Sequence, residues 1–157
     1  MKVSDMFYDP AKTRFFKDTL LKVVGQAMTA ANLQLEDNEI QQARGLVRFH
    51  KPLPALGEDI YGFVEWQLLA FEQSPLARFN VTLLRNQGLD ARAITEYAHR
   101  EEHTLAWIIR HAYQSEVVPT DDHWWTFRDG TELAYALVEA GKLLFGYGMP
   151  YLEMRQD

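Results

Sequence analysis

The chain has 157 residues, of which 47% are hydrophobic and 24% charged, a composition typical of a globular domain and not of a disordered or fibrous protein. It contains no cysteine, which excludes disulfides, thiolate metal sites and cysteine nucleophiles. The formal net charge of −6 disfavours binding to nucleic acid and to anionic lipid.

The N-terminal stretch from Met1 to Asp9 lacks the apolar region and the small-residue cleavage site of a secretory signal peptide. No window approaches the roughly 18 apolar residues that a membrane span requires. The sequence therefore predicts a cytoplasmic protein that does not cross a membrane. Residues 1–157 show no repeat or linker, so we expect a single domain.

The first predicted element is an amphipathic helix. Asp9 is a suitable N-cap, and Pro10 fits the first helical position because its missing N–H would have no partner there. Apolar residues then recur at steps of three and four until about Ala31. They are Phe16, Leu20, Val23, Val24, Ala27 and Ala31.

The middle of the chain changes to the alternation of strands. Residues 45–51 and 77–84 alternate and are rich in β-branched and aromatic side chains, so both are predicted strands. Residues 33–40 are expected to add a short edge strand. Residues 60–72 fit a long strand joined to the next through Ser74-Pro75, although their apolar residues also fit a helical period. We favour the strand.

The second half of the chain predicts two further helices. Residues 90–113 have the most regular helical period, residues 115–128 are expected to form a loop, and a last helix begins near Asp129 or Thr131. Gly146, Gly148 and Pro150 are expected to end or kink it. The order of elements predicts an α+β two-layer sandwich, an antiparallel sheet with one N-terminal and two C-terminal helices; an all-α bundle is the alternative.

A metal site is the first candidate chemistry, because Glu96-x-x-His99 and the adjacent Glu102-His103 resemble metal-ligand spacing on a helix. No second Glu-x-x-His occurs in the chain. On the predicted helix these side chains lie opposite the apolar stripe, so they are expected to project into solvent. The sequence thus predicts neither a metal nor another cofactor.

Glu101 is unusual because helical rotation places it inside the apolar stripe, one turn before Leu105. A carboxylate there is expected to be mostly buried and paired with a basic or amide group, or to line a cavity. On the outward face of the same helix, cationic and aromatic residues form a band able to bind anions, acidic proteins or nucleic-acid backbone. The band consists of Arg92, His99, His103, Trp107 and Arg110.

The densest aromatic cluster lies in the predicted loop, where Trp124, Trp125 and Phe127 follow His123. Tryptophan is enriched at protein interfaces, but a Trp-rich loop also fixes a helix over a sheet. Because consecutive side chains diverge, at least one of the two tryptophans is expected in the core. A second candidate surface is the polar and aromatic face of the strand at residues 60–72, where Glu65 requires a partner if the face is covered.

The common phosphate-binding loops, the Gly-x-Ser-x-Gly elbow and His-Glu-x-x-His are absent. We therefore expect a non-enzymatic protein-binding module, an inhibitor, immunity-type or regulatory partner. In size and acidity the chain is similar to small acidic bacterial immunity proteins. This similarity concerns bulk properties only, and no sequence motif is shared. The partner is expected to be another protein, with a homodimer left open. Candidate binding residues are Trp107, Trp124, Trp125, Arg92, Arg110 and Glu101.

The alternative is a small enzyme or ligand-binding domain. Its pocket would lie between sheet and helices and would use Glu101, His123 and Glu65 as polar groups. A deep cavity lined by Glu101 would favour the pocket, whereas a closed core with an exposed aromatic patch would favour partner binding.

Overall fold

The computed structural model of the protein describes residues 9–71 and 73–154. It is an α+β fold in which helices pack on one face of an antiparallel sheet, as the sequence predicts. The strands are β1 (Gln34–Leu35), β2 (Leu46–Pro52), β3 (Ile60–Ala70), β4 (Ala77–Gln87), β5 (Glu101–Thr104) and β6 (Trp125–Phe127). The helices are α1 (Pro10–Ala30), α2 (Glu39–Ala43), α3 (Leu105–Trp107), α4 (Gly130–Leu143) and α5 (Met149–Leu152).

Helix α1 begins and ends where the sequence predicts. The Asp9 carboxylate accepts hydrogen bonds from the backbone amides of Ala11 and Lys12, and Pro10 occupies the first turn. Phe16, Leu20 and Val24 of its predicted stripe are buried against the core, whereas Ala27 is exposed. Phe16 contacts Phe79 of β4 with ring centroids 5.6 Å apart. This helix and α4 together cover the core face. No helix in the described part of the chain has the length and apolarity to cross a membrane.

The strand interpretation of residues 60–72 is confirmed for residues 60–70, and residue 72 lies outside the described residues. Strand β3 pairs with β4 along its whole length, from Ile60 opposite Gln87 to Ala70 opposite Ala77. The turn between them is fixed by Lys12, whose ammonium donates to the carbonyls of Phe71 and Ser74 at 2.7 and 2.5 Å. Side chains therefore alternate between the two faces of the sheet. The predicted edge strand within residues 33–40 is the two-residue β1.

The predicted helix over residues 90–113 is wrong for its first half. Residues 88–100 are an irregular loop, residues 101–104 form β5, and only Leu105–Trp107 and a following π turn, Ile108–Ala112, are helical. Periodicity failed here because β5 hydrogen-bonds the free edge of β4, with Glu101 opposite Arg85. Such pairing satisfies backbone groups of both strands and overrides a local helical preference.

The predicted loop over residues 115–128 also contains a strand. Trp125–Phe127 forms β6, which pairs with the other end of β4, so that Phe79 lies opposite Trp125. Consequently β5 and β6 pair with successive parts of the same edge of β4. The segment between them, residues 105–124, leaves this edge after β5 and returns to it at β6. Asp129 caps α4 through the backbone amide of Glu132, as predicted.

The last helix continues through its glycines. After α4 the chain makes a π turn, Leu144–Gly148, and then α5. A side chain at Gly148 would lie 3.0 Å from Leu105 and Leu144, so this glycine allows close packing instead of ending the helix. At the end of α5, the backbone carbonyls of Tyr151 and Leu152 accept hydrogen bonds from Arg85 of β4.

Candidate functional site

The outer face of the sheet, turned away from the helices, carries most of its unusual chemistry. Register places Arg48, Glu65 and Thr82 side by side on this face, and the next row contains His50, Phe63 and Leu84. The core face holds the intervening residues, among them Val64, Trp66 and Leu83. Trp66 Nε1 is a buried donor with no partner among the described residues.

An ion-pair ladder crosses the middle of the outer face. Glu65 is only 3% exposed, and its two carboxylate oxygens accept from Arg48 at 2.5 Å and from Arg92 at 2.7 Å. Arg48 continues to Glu36, and Arg92 continues to Glu102. Glu65 thus has the partners that its burial requires. The ladder also connects strands β2, β3 and β5 with the loop of residues 88–100.

That loop covers one half of the outer face. Ala91 packs with Phe63 and Leu84 in a small second core. Beside them lies Asn86, which is fully buried, and its amide Nδ2 donates to the carbonyls of Asp90, Ala91 and Ala93. Its Oδ1 accepts from Thr95 Oγ1 at 2.6 Å and from the Gln87 amide at 2.8 Å. One buried side chain therefore determines the path of the loop.

The other half of the outer face is uncovered, and we call it the open sheet face. Arg78 lies here with its guanidinium 4.6 Å from the centre of the Trp124 ring. The members are half-buried or exposed, and they mix amides, aliphatic groups, one cation and one tryptophan. They are Leu46, Gln67, Leu69, Arg78, Asn80 and Trp124.

The two consecutive tryptophans diverge as expected. Trp125 is buried, stacks on Phe79 at 5.7 Å and donates from Nε1 to Glu139 at 3.0 Å, so it belongs to the core. Trp124 is half-buried beside Arg78. A surface depression of about 540 Å³ lies next to it, lined by both tryptophans, His123, Thr126, Glu132, Tyr135, Ala136 and Glu139.

The predicted cationic band does not exist as a helix face, because its residues lie on different elements. Arg92 belongs to the ladder on the outer face. His103, Trp107 and His111 instead form a stack of three rings, with centroid distances of 3.7 and 5.0 Å. Arg110 donates to Asp121 at 2.9 Å, at one end of this stack.

Glu101 does not lie in a helical stripe, and it is less buried than predicted, with 31% of its side chain exposed. It has the expected basic partner, because it pairs with Arg85, which is 1% exposed. Tyr151 donates its hydroxyl to the same carboxylate at 3.1 Å. Burial and the Glu101 charge raise the pKa of Tyr151 to about 12. Arg85 also donates to the Leu152 carbonyl at 2.9 Å.

The histidines predicted on a polar helix face are placed differently. His99 lies in the loop with its ring 5.9 Å from that of Tyr97, whereas His103 stacks on Trp107. Within residues 9–71 and 73–154, no group of three or more histidine, aspartate and glutamate side chains is arranged to hold a metal ion.

Two histidines make the stability of the fold depend on pH. Burial lowers the pKa of His103 and of His123 below 6.5, so the folded state favours the neutral rings. The unfolded chain then binds more protons just below pH 6.5, and the free energy of unfolding falls as pH drops through that window. Urea unfolding at pH 7.5 and 5.5 should show this loss. His103→Gln with His123→Gln should flatten it, and an unchanged slope in that double variant would contradict the assignment.

Two residues of the outer face were not predicted. Asn86 and Arg78 have no motif, and their roles depend on strand register and on the path of the loop. A weak local signal was available, because Ala91, Ala93 and Thr95 are small residues that suit a segment packed closely on the sheet. The stronger helical period concealed it.

No family model, curated protein or solved structure matches the chain. The residues and their geometry are therefore the basis for a proposal about function.

Proposed function

We propose that this protein is a non-enzymatic protein-binding module and that it recognises its partner with the outer face of the sheet. The observation that carries the proposal is the open sheet face, where half-buried side chains surround Trp124 and Arg78. A half-buried tryptophan on a rigid sheet loses little conformational freedom on binding and buries a large area.

The charge of this face suggests the chemistry of the partner. Arg44 at the edge of the face, Arg78 and Arg92 are exposed, as is Arg100 in the loop. The six residues of the open sheet face include no carboxylate, whereas the loop carries the exposed Asp90 and Glu96, and Glu102 beside it is paired with Arg92. A locally basic surface on an acidic protein favours an acidic partner surface with an apolar centre. Such a pairing would take place in the cytoplasm, the compartment compatible with a cysteine-free chain.

The alternative, a pocket enzyme centred on Glu101, has less support. Glu101 lines a surface depression of about 270 Å³ together with Arg92 and Arg100. Its carboxylate is already bound by Arg85 and Tyr151, so its oxygens are committed to contacts within the fold.

A displayed library of random peptides tests the proposal. Selected on the immobilised wild-type protein at 150 mM salt, about physiological ionic strength, it should yield peptides that combine aspartate or glutamate with an apolar residue. Trp124→Ala should weaken their binding at least about 30-fold, the loss expected when a central tryptophan is removed. The thermal midpoint should stay nearly unchanged.

Val117→Ala is the matched control, because Val117 is an exposed apolar residue that is not part of the open sheet face. It should leave peptide binding unchanged. Peptides that bind Trp124→Ala as tightly as the wild type, or a selection with no enrichment, would overturn the proposal.

A further inference from the structure

Strand β6 has a free edge. It pairs with β4 on one side, and no strand within residues 9–71 and 73–154 pairs with its other side. No loop or helix of the described chain forms a backbone hydrogen bond with this edge either. A free strand edge can accept a further extended segment, whose main chain continues the ladder. Short free edges are common, however, so the edge alone does not indicate a ligand.

The distinguishing feature is the surface depression of about 540 Å³ that lies beside this edge, between β6 and α4. Strand β6 and the residues before it contribute His123, Trp124, Trp125 and Thr126 to the lining, and α4 contributes Glu132, Tyr135, Ala136 and Glu139. A ligand in the depression would therefore meet aromatic rings and carboxylates together.

The charge of the lining is negative. It includes Glu132 and Glu139 but no lysine or arginine. Arg128 lies 3.9 Å from Glu132 and partly neutralises it. Glu139 accepts from Trp125 Nε1 through Oε2 at 3.0 Å, and its Oε1 has no partner in the described chain. Burial lowers the pKa of His123, so this ring is neutral at pH 7 and does not repel a cation.

The aromatic rings of the lining favour the same kind of ligand, because cations bind over the faces of tryptophan and tyrosine rings. Trp124 already has the guanidinium of Arg78 at 4.6 Å, whereas Tyr135 is 75% exposed and has no cation over its ring among the described residues. Tyr135 and Glu139 are four residues apart on α4, so their side chains are neighbours. A guanidinium stacks on rings and pairs with carboxylates, so arginine suits both.

We infer that the free edge of β6 receives an extended, arginine-containing segment of another protein, which adds a strand to the sheet and places its arginine side chain beside Tyr135 and Glu139. Main-chain hydrogen bonds supply affinity in such an arrangement, and the depression supplies specificity. Every second side chain of the added strand points to the same face, so the arginine needs no special backbone conformation. This site is distinct from the open sheet face, which favours acidic peptides.

Two heptapeptides test the side chain. The first, acetyl-Thr-Val-Thr-Arg-Thr-Val-Thr-amide, consists of residues that favour strands around one arginine. The second carries citrulline, the uncharged isostere, in place of arginine. In an NMR titration of the full-length protein, the arginine peptide should shift the indole N–H signal of Trp125, whose partner is Glu139. The citrulline peptide should bind at least about 10-fold more weakly.

Variants of the lining test the site itself. Glu139→Gln keeps an acceptor for Trp125 but removes the charge, so it should weaken binding of the arginine peptide by about 5-fold. Tyr135→Ala should weaken it by about 3-fold or more. Glu58→Gln is the control for charge, because Glu58 is exposed in the turn before β3, at the end of the sheet opposite β6. Ile40→Ala is the control for exposed area, because Ile40 is 72% exposed but lies on α2. Both controls should bind as the wild type does.

N-methylation of the peptide tests the strand. An added strand directs alternate N–H groups towards β6, so methylation of one alternate set of amides should abolish binding while methylation of the other set is tolerated. Equal effects of the two sets, equal binding of the arginine and citrulline peptides, or an unshifted Trp125 signal would overturn the inference. Failure of acidic peptides to bind, with intact binding of the arginine peptide, would contradict only the role of the open sheet face.

Discussion

Replacement of Glu65 by alanine should lower the free energy of unfolding by about 3 to 5 kcal/mol, the range for breaking a buried ion pair. Both oxygens of this carboxylate bind arginines, and the Arg48 side chain is only 11% exposed. Without Glu65, Arg48 keeps a single contact with Glu36 at 3.3 Å. A charge left in a poorly solvated position with too few partners is the source of the loss.

The control for Glu65 is Glu102, which pairs with the same Arg92 but has half of its side chain exposed. Glu102→Ala should cost at most about 1 kcal/mol, as exposed ion pairs contribute little. Chemical denaturation of both variants with unchanged m-values makes the comparison direct. Equal losses for the two variants would mean that burial of Glu65 does not determine its contribution.

A loss of similar size should follow from Arg85→Met, which removes the guanidinium but keeps an unbranched chain. Arg85 is buried and donates to the carbonyls of His99 and Leu152 at 3.2 and 2.9 Å, besides its pair with Glu101. These contacts connect β4 with the loop that follows it and with the carbonyl end of α5, where a cation is favoured. We expect about 3 to 5 kcal/mol of destabilisation by denaturation.

Limited proteolysis should show where the Arg85 variant loosens. Cleavage near the C-terminal helix should become faster, because the carbonyls of residues 151 and 152 lose their donor. Arg128→Met is the control, since the Arg128 side chain is 72% exposed and its ion pair with Glu132, at 3.9 Å, lies at the surface. It should change the unfolding free energy by less than about 1 kcal/mol. Uniform protection of the C-terminal helix in the Arg85 variant would exclude this role.

The elements that sequence patterns predicted well are those whose local signals agree with their tertiary setting. Asp9 and Pro10 determine the start of α1, and strong alternation with the turn at Ser74-Pro75 determines the β3–β4 hairpin. The last helix was located by Asp129, whose carboxylate caps it. In each case the residues concerned are adjacent in the chain, so no distant contact was needed to interpret them.

The surroundings of Glu101 and Asn86 could not be derived in the same way. The sequence correctly predicted a basic partner for Glu101. The prediction placed Glu101 on a helix, however, whereas the residue lies in strand β5. The choice between helix and strand for residues 101–104 depends on the free edge of β4, which only the assembled sheet provides. Asn86 gains its importance from a loop that folds back over it, and no short-range pattern reports such a contact.

The end-to-end placement of β5 and β6 along one edge of β4 has a practical consequence. The chain leaves the sheet after Thr104 and returns at Trp125, and Thr104 Oγ1 donates to the Asp121 carbonyl at 2.8 Å to close the excursion. Its first turns are packed in the core, but residues 113–117 at its far end are largely exposed. Additional residues there would lengthen a loop that is already closed at its base, at a small entropic cost. A reporter domain inserted between residues 113 and 117 would leave the sheet and both of its faces intact. This position is therefore suitable for a fluorescent tag that follows the protein in living cells.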